Sequence, residues 1–146
     1  MLEKGNVAVQ SLTFIVRQTL FALALAACFT GCSDPIIHNE DLAGKRALEF
    51  AEVALIKQDL DAAYALLSNK AKGYVPVEKF KETIQRLHPD GYPLTVRMTG
   101  FQPMQDEKAI YIYLSADTAN RQFHYTLTLT GTAASDYQVS VVARTL

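Results

Sequence analysis

The residues of this 146-residue chain able to do chemistry are two cysteines, three histidines and scattered carboxylates and hydroxyls. The thiols are the most telling. Cys28 and Cys32 share a five-residue window at the end of the first apolar run, and the rest of the chain has none. That distribution excludes a disulfide-built domain, and equally a cysteine zinc site in the folded part. The histidines are dispersed. His38 precedes the first predicted helix, His88 stands at a predicted helix end, and His124 lies in a predicted strand. A zinc site needs about three or four converging ligands, and no closely spaced His/Asp/Glu pair on one element offers them, so neither a metal nor a cofactor is expected. His88 reads as a cationic or donor group complementing the dipole of a helix's last turn. Serines and threonines are plentiful, yet no Gly-x-Ser-x-Gly elbow or phosphate-binding glycine loop occurs.

The surroundings of the cysteines explain them. Lys4 and Arg17 precede an uncharged apolar stretch, Gln18 to Gly31, of 14 residues. A basic start, a short apolar run and small residues before a cut describe a secretory signal. The stretch is shorter than the roughly 18–20 residues a membrane-crossing helix uses. Leu25-Ala26-Ala27-Cys28 resembles the bacterial lipobox, the site at which a lipoprotein precursor is acylated and cleaved. Phe29-Thr30-Gly31-Cys32 is a second match with Phe in the aliphatic position, followed by a polar Ser33-Asp34. Cys28 is preferred as the lipid attachment residue and Cys32 is the alternative. The expected organisation is a signal peptide over 1–27 (1–31 if Cys32 is used), a tether over 28–38 and a single domain over 39–146. The resemblance implies a diacylglyceryl cysteine, which holds a protein more stably than a single acyl chain does. It further implies a cell-envelope location. In a double-membraned bacterium, the lack of Asp after either cysteine points to the periplasmic face of the outer membrane.

The elements that must carry any site come next. Asn39 or Asp41 is placed to cap a helix running to about Lys57, with Leu48, Ala51 and Leu55 on one stripe. Asp59 caps a second helix through Leu67, which Ser68-Asn69 and Gly73 end. A third helix spans Glu78 to Leu87, with Phe80, Ile84 and Leu87 at helical spacing, and His88-Pro89-Asp90-Gly91 stops it. From Val96 onward the period becomes 2. Ile110, Ile112 and Leu114 alternate with Tyr111 and Tyr113, and Phe123, Tyr125, Leu127 and Leu129 alternate with His124 and threonines. Val139, Val141 and Ala143 alternate near the end. Helices first and antiparallel strands after predict an α+β domain, three helices packed on one face of a sheet of four strands or more.

Ala47 to Leu67 and the later strands, Tyr125 to Gly131 and Tyr137 to Val142, resemble the nuclear-transport-factor-2-like superfamily, in which a curved sheet wraps helices as a cone. A cystatin-like single-sheet arrangement fits the same order. The superfamily includes ketosteroid isomerase and scytalone dehydratase, whose chemistry needs acids or bases inside the cone. The isomerase-like members carry a catalytic carboxylate on the first long strand. Here that strand, Leu94 to Gln102, has no Asp or Glu, and Asp106, Glu107 and Asp117 fall in predicted turns. Catalysis is therefore not the expected role.

A formal net charge of -1 and a pI near 6.3 give no basic surface for nucleic acid. With Ile110, Ile112 and Leu114 facing the helices, Tyr111 and Tyr113 lie on the opposite sheet face beside His124, Thr126 and Thr128. Tyrosines supply contact area with a polar handle, so Tyr111, Tyr113 and His124 are the expected binding surface. The expected function is a membrane-anchored, non-catalytic binding or assembly module with an envelope protein as partner. The alternative is a cone-pocket protein for a small apolar ligand, with weak lyase or isomerase activity.

Overall fold

Helix α1 (Glu40–Ala51) starts where the Asn39 side chain accepts a hydrogen bond from Leu42 N, at 2.9 Å. Of the two candidate caps the chain uses Asn39, leaving Asp41 with Glu40 in the first turn, where acidic groups suit the dipole. The structure, a computed structural model, describes residues 35–145. A π-helical turn, Glu52–Ile56, extends α1, and two residues beyond it Gln58 has a φ of 57°, in the left-handed region. Asp59 then caps α2 (Leu60–Ala65) through Ala62 N.

Three helices were expected, and the described residues form four. Ser68 starts a helix as well as ending one. Its hydroxyl accepts from Ala71 N at 3.1 Å and caps a short α3 (Asn69–Tyr74). Its own amide donates to Val139 O at 2.8 Å. The same hydroxyl types that close one helix open the next when the chain turns through extended backbone. Helix α4 spans Val77–Arg86.

Four strands follow: β1 (Thr95–Pro103), β2 (Ala109–Asp117), β3 (Gln122–Thr132) and β4 (Asp136–Thr145). They form one antiparallel sheet in the order β1-β2-β3-β4. Ile110, Ile112, Leu114, Tyr125, Leu127 and Leu129 project to one face and are fully buried. α1 lies across that face and touches every strand. Phe50 of α1 meets Phe80 of α4 edge-on, and Phe80 in turn meets Tyr64 of α2. Each aliphatic side chain so buried contributes about 1.5–3 kcal/mol. Gly44 lets α1 approach the sheet, because a Cβ there would stand 2.5 Å from Met98 Sδ.

Both outer strands carry a bulge. Thr99 is the extra residue in β1 and Ser140 in β4. Each hydroxyl donates across to the partner strand, Thr99 to Tyr113 O and Ser140 to Thr128 O. The β4 bulge corrects one expectation. Val139 faces the core and is 1% exposed, whereas Val141 faces away and is 54% exposed. A one-residue insertion turns every later side chain to the other face, so Val139 and Val141 do not share a side. Among the described residues, no helix is long and apolar enough to cross a membrane.

Candidate functional site

The register of β2 and β3 assembles the outer face of the sheet. Tyr111 stands opposite Thr128, Tyr113 opposite Thr126, and Ser115 opposite His124. β4 adds Val141 beside Thr128 and Ala143 beside Thr126. Tyr111, Tyr113, Thr126 and Thr128 are half-buried, while His124, Val141 and Ala143 are exposed. No described helix lies on this face. The hydroxyl of Tyr113 donates to Gln102 Oε1 at 3.0 Å, which fixes its ring toward β1. The face is aromatic and hydroxyl-rich at its centre, with Arg97 and Asp117 paired at one end. Gln122 also donates to Asp117, and these two partners hold its carboxyl below the usual carboxylate range.

Ser115 and His124, side by side, are two members of a nucleophilic constellation by type. Their geometry does not make one. Ser115 Oγ is closed to solvent, and Asp117 is committed to Gln122 and Arg97. What this face offers a ligand is contact area and hydroxyl hydrogen bonding.

A concavity of about 710 Å³ lies where α1 and α2 meet the β3–β4 hairpin. Arg46, Glu49, Lys108 and Asp136 line it with both signs of charge. Arg46 donates through Nε and Nη2 to Asp136 and through Nη1 to Glu49. The guanidinium hydrogen bond is the main reason the Asp136 carboxyl sits below its ordinary range. Ala65, Leu66 and Val139 add apolar surface to the same lining.

The histidines are more engaged than their spacing indicates. His38 Nε2 faces Glu107 O at 3.1 Å, so that nitrogen carries a hydrogen, and Nδ1 accepts from the Tyr137 hydroxyl at 3.2 Å in the neutral ring. Ile37 O accepts from Ala133 N. The last residues of the predicted tether are therefore bound to the domain.

His88 is buried and bridges two elements. Its Nδ1 faces Ile84 O at 2.7 Å and must donate, so Nε2 accepts from the Tyr125 hydroxyl at 2.8 Å. Tyr92 stacks on the ring at 4.6 Å. Burial chiefly lowers the readiness of His88 to take a proton, and the Arg144 charge lowers it further against the Ile84 hydrogen bond. Burial likewise pushes the Tyr125 phenol up to about 12. Arg144 donates to Leu87 O and lays its guanidinium over the Phe123 ring. The expected donor role at the helix end is present, but the site favours a neutral ring over a cationic one. The sequence held one signal for this cluster: an inward-facing tyrosine at 125, whose hydroxyl needs a partner when buried.

Cys28, Cys32 and the predicted leader lie outside the described residues. Among the described residues, no group of three or more His, Cys, Asp or Glu side chains converges as a metal site would require. No family model, curated protein or solved structure matches the chain.

Proposed function

We propose that this chain is a lipoprotein module of the bacterial envelope, held at a membrane by an acylated cysteine and binding a protein partner through the open face of its sheet, without catalysis. The observation that carries the reading is the outer face itself. Tyr111, Tyr113, Thr126, Thr128 and Val141 form one continuous patch that no described helix covers, while the inner face is filled by the chain's own side chains. Rigid aromatic side chains of this kind anchor protein interfaces at low entropic cost. The cone of the nuclear-transport-factor-2-like superfamily belongs to the same proposal. Helices preceding an antiparallel meander, with bulges in both outer strands, support it, because bulges bend and twist a sheet.

The test uses the full chain in its native envelope. A photo-crosslinking residue at Thr126 is expected to capture one discrete protein, and the same probe at Glu82, exposed on α4, is not. Replacing Tyr111 and Tyr113 together with Ser should weaken that partner by about 30-fold or more, the effect of losing about 2 kcal/mol at an interface anchor. Equal capture from Glu82, or capture unaffected by the double replacement, overturns the reading.

A further inference from the structure

The cluster around His88 has no part in the binding face, yet it joins three elements, and its hydrogen bond to Tyr125 depends on the protonation state of the ring. We propose that His88 is the pin of an acid-sensitive latch, which ties the end of α4 to β3 and reinforces its tie to β4 only while the imidazole is neutral.

In the neutral ring, Nδ1–H donates to Ile84 O and Nε2 accepts the Tyr125 hydroxyl hydrogen. Both ring nitrogens are thereby satisfied. A proton arriving at Nε2 turns that nitrogen into a donor facing a donor. The Tyr125 hydroxyl must then rotate to accept, and its own hydrogen is left seeking a partner at a residue 1% exposed. A buried polar group without a partner is costly.

The surroundings make the charge harder to keep. Tyr92 faces the ring from the α4–β1 loop, Tyr125 from β3, and Arg144 from β4. Two are neutral phenols and the third is a cation. Asp90, the nearest carboxylate along the chain, is paired with Arg121 at the surface. Among the described residues, no carboxylate bonds to His88. Arg144 also bonds to Leu87 O, one residue before His88, so repulsion between the two cations acts directly on the contact joining α4 to β4.

The sign follows from linkage. His88 takes a proton less readily folded than unfolded, where its value is the ordinary 6.5. Above pH 6.5 the latch is fully closed. As pH falls below 6.5 the unfolded chain binds a proton that the folded chain refuses. The unfolding constant then rises, with about tenfold per pH unit as the ceiling for one proton, until His88 itself titrates, after which the effect levels off. Asp117 and Asp136, shifted down from 3.8, lose their contributions only below that value, so the two effects occupy separate windows.

The experiment measures denaturant unfolding of the full chain between pH 4.5 and 7.5, beside His88→Gln and Tyr125→Phe. The wild type should lose stability as pH falls below 6.5, and His88→Gln should largely remove that slope. Tyr125→Phe removes the hydroxyl that favours the neutral ring and should reduce the slope. Because His88→Gln is a core replacement, proton NMR of the wild type supplies an independent measurement. The His88 ring should titrate below 6.5, and amide protection at Arg144 should fall with the same midpoint. A ring titrating at or above 6.5, Arg144 protection indifferent to pH, or an equal slope in His88→Gln overturns the latch.

Discussion

Val139 and Val141 are the same residue type two positions apart on one strand, and the structure gives them opposite fates. Val139 is buried against the helices, and losing its two methyl groups to Ala should cost about 2 kcal/mol through lost burial and the cavity left behind. Val141 lies on the open face, and Val141→Ala should stay within about 0.5 kcal/mol. Urea unfolding midpoints of the two variants check the bulge at Ser140 directly, since an unbroken register would make the two losses alike. Tyr125 shows the same dependence on placement. Its position in the inward series marks it as buried, but only the fold shows that His88 receives its hydroxyl.

Among elements, the β3–β4 hairpin depends most on a single backbone conformation. Gly131 has a φ of 137°, and a Cβ there would lie 1.9 Å from Asp136 O. That obstacle is backbone and does not yield as a flexible side-chain tip would. Gly131→Ala should therefore destabilise the protein by about 2 kcal/mol or more. It should also loosen the Arg46–Asp136 contact, because Asp136 is the first residue of β4. Thermal unfolding and amide exchange along β4 measure both effects. Gln58 presents the converse case. It occupies the left-handed region just beyond the π-helical turn, where glycine is at ease. Gln58→Gly should raise stability by up to about 1 kcal/mol, readable as a higher denaturant midpoint.

For the whole molecule, the anchor prediction is separate from the fold. Under the envelope reading, Cys28→Ser should abolish acylation and membrane retention, and mass spectrometry of the mature amino terminus measures it. Acylation retained in that variant and lost in Cys32→Ser would move the anchor to Cys32. The described domain has its own acid response. Asp136 contributes most while ionised, so the contribution of its pair with Arg46 is present above 3.8 and fades as pH falls below it. Asp136→Asn should shrink that lower step in a urea midpoint series, leaving the Asp117 part of it and the step below pH 6.5 intact. Both partners are well exposed, so added salt should shrink the lower step.

Much of the architecture was legible because its determinants are local. Asn39 and Asp59 cap the helices they precede, and the alternation from Ile110 to Leu114 and from Phe123 to Leu129 sets which face of each strand is buried. Those signals are written in residue type and period, which act over a few neighbours. The placement of Tyr111, Tyr113 and His124 on one face followed from the same period once the strands paired in register. The fourth helix was hidden because Ser68 serves as stop and start together, and its amide is satisfied by β4, about seventy residues away along the chain. The bulges at Thr99 and Ser140 were hidden because a register shift is a property of two strands. The bond between His88 and Tyr125 joins residues 37 positions apart through a buried contact that no local pattern encodes. Sequence alone determined which residues of the helices and of the unbulged strands β2 and β3 turn inward, through the periods of helix and strand. The tertiary structure decided which of them meet, because long-range pairing sets both the register and the partners that buried polar groups find.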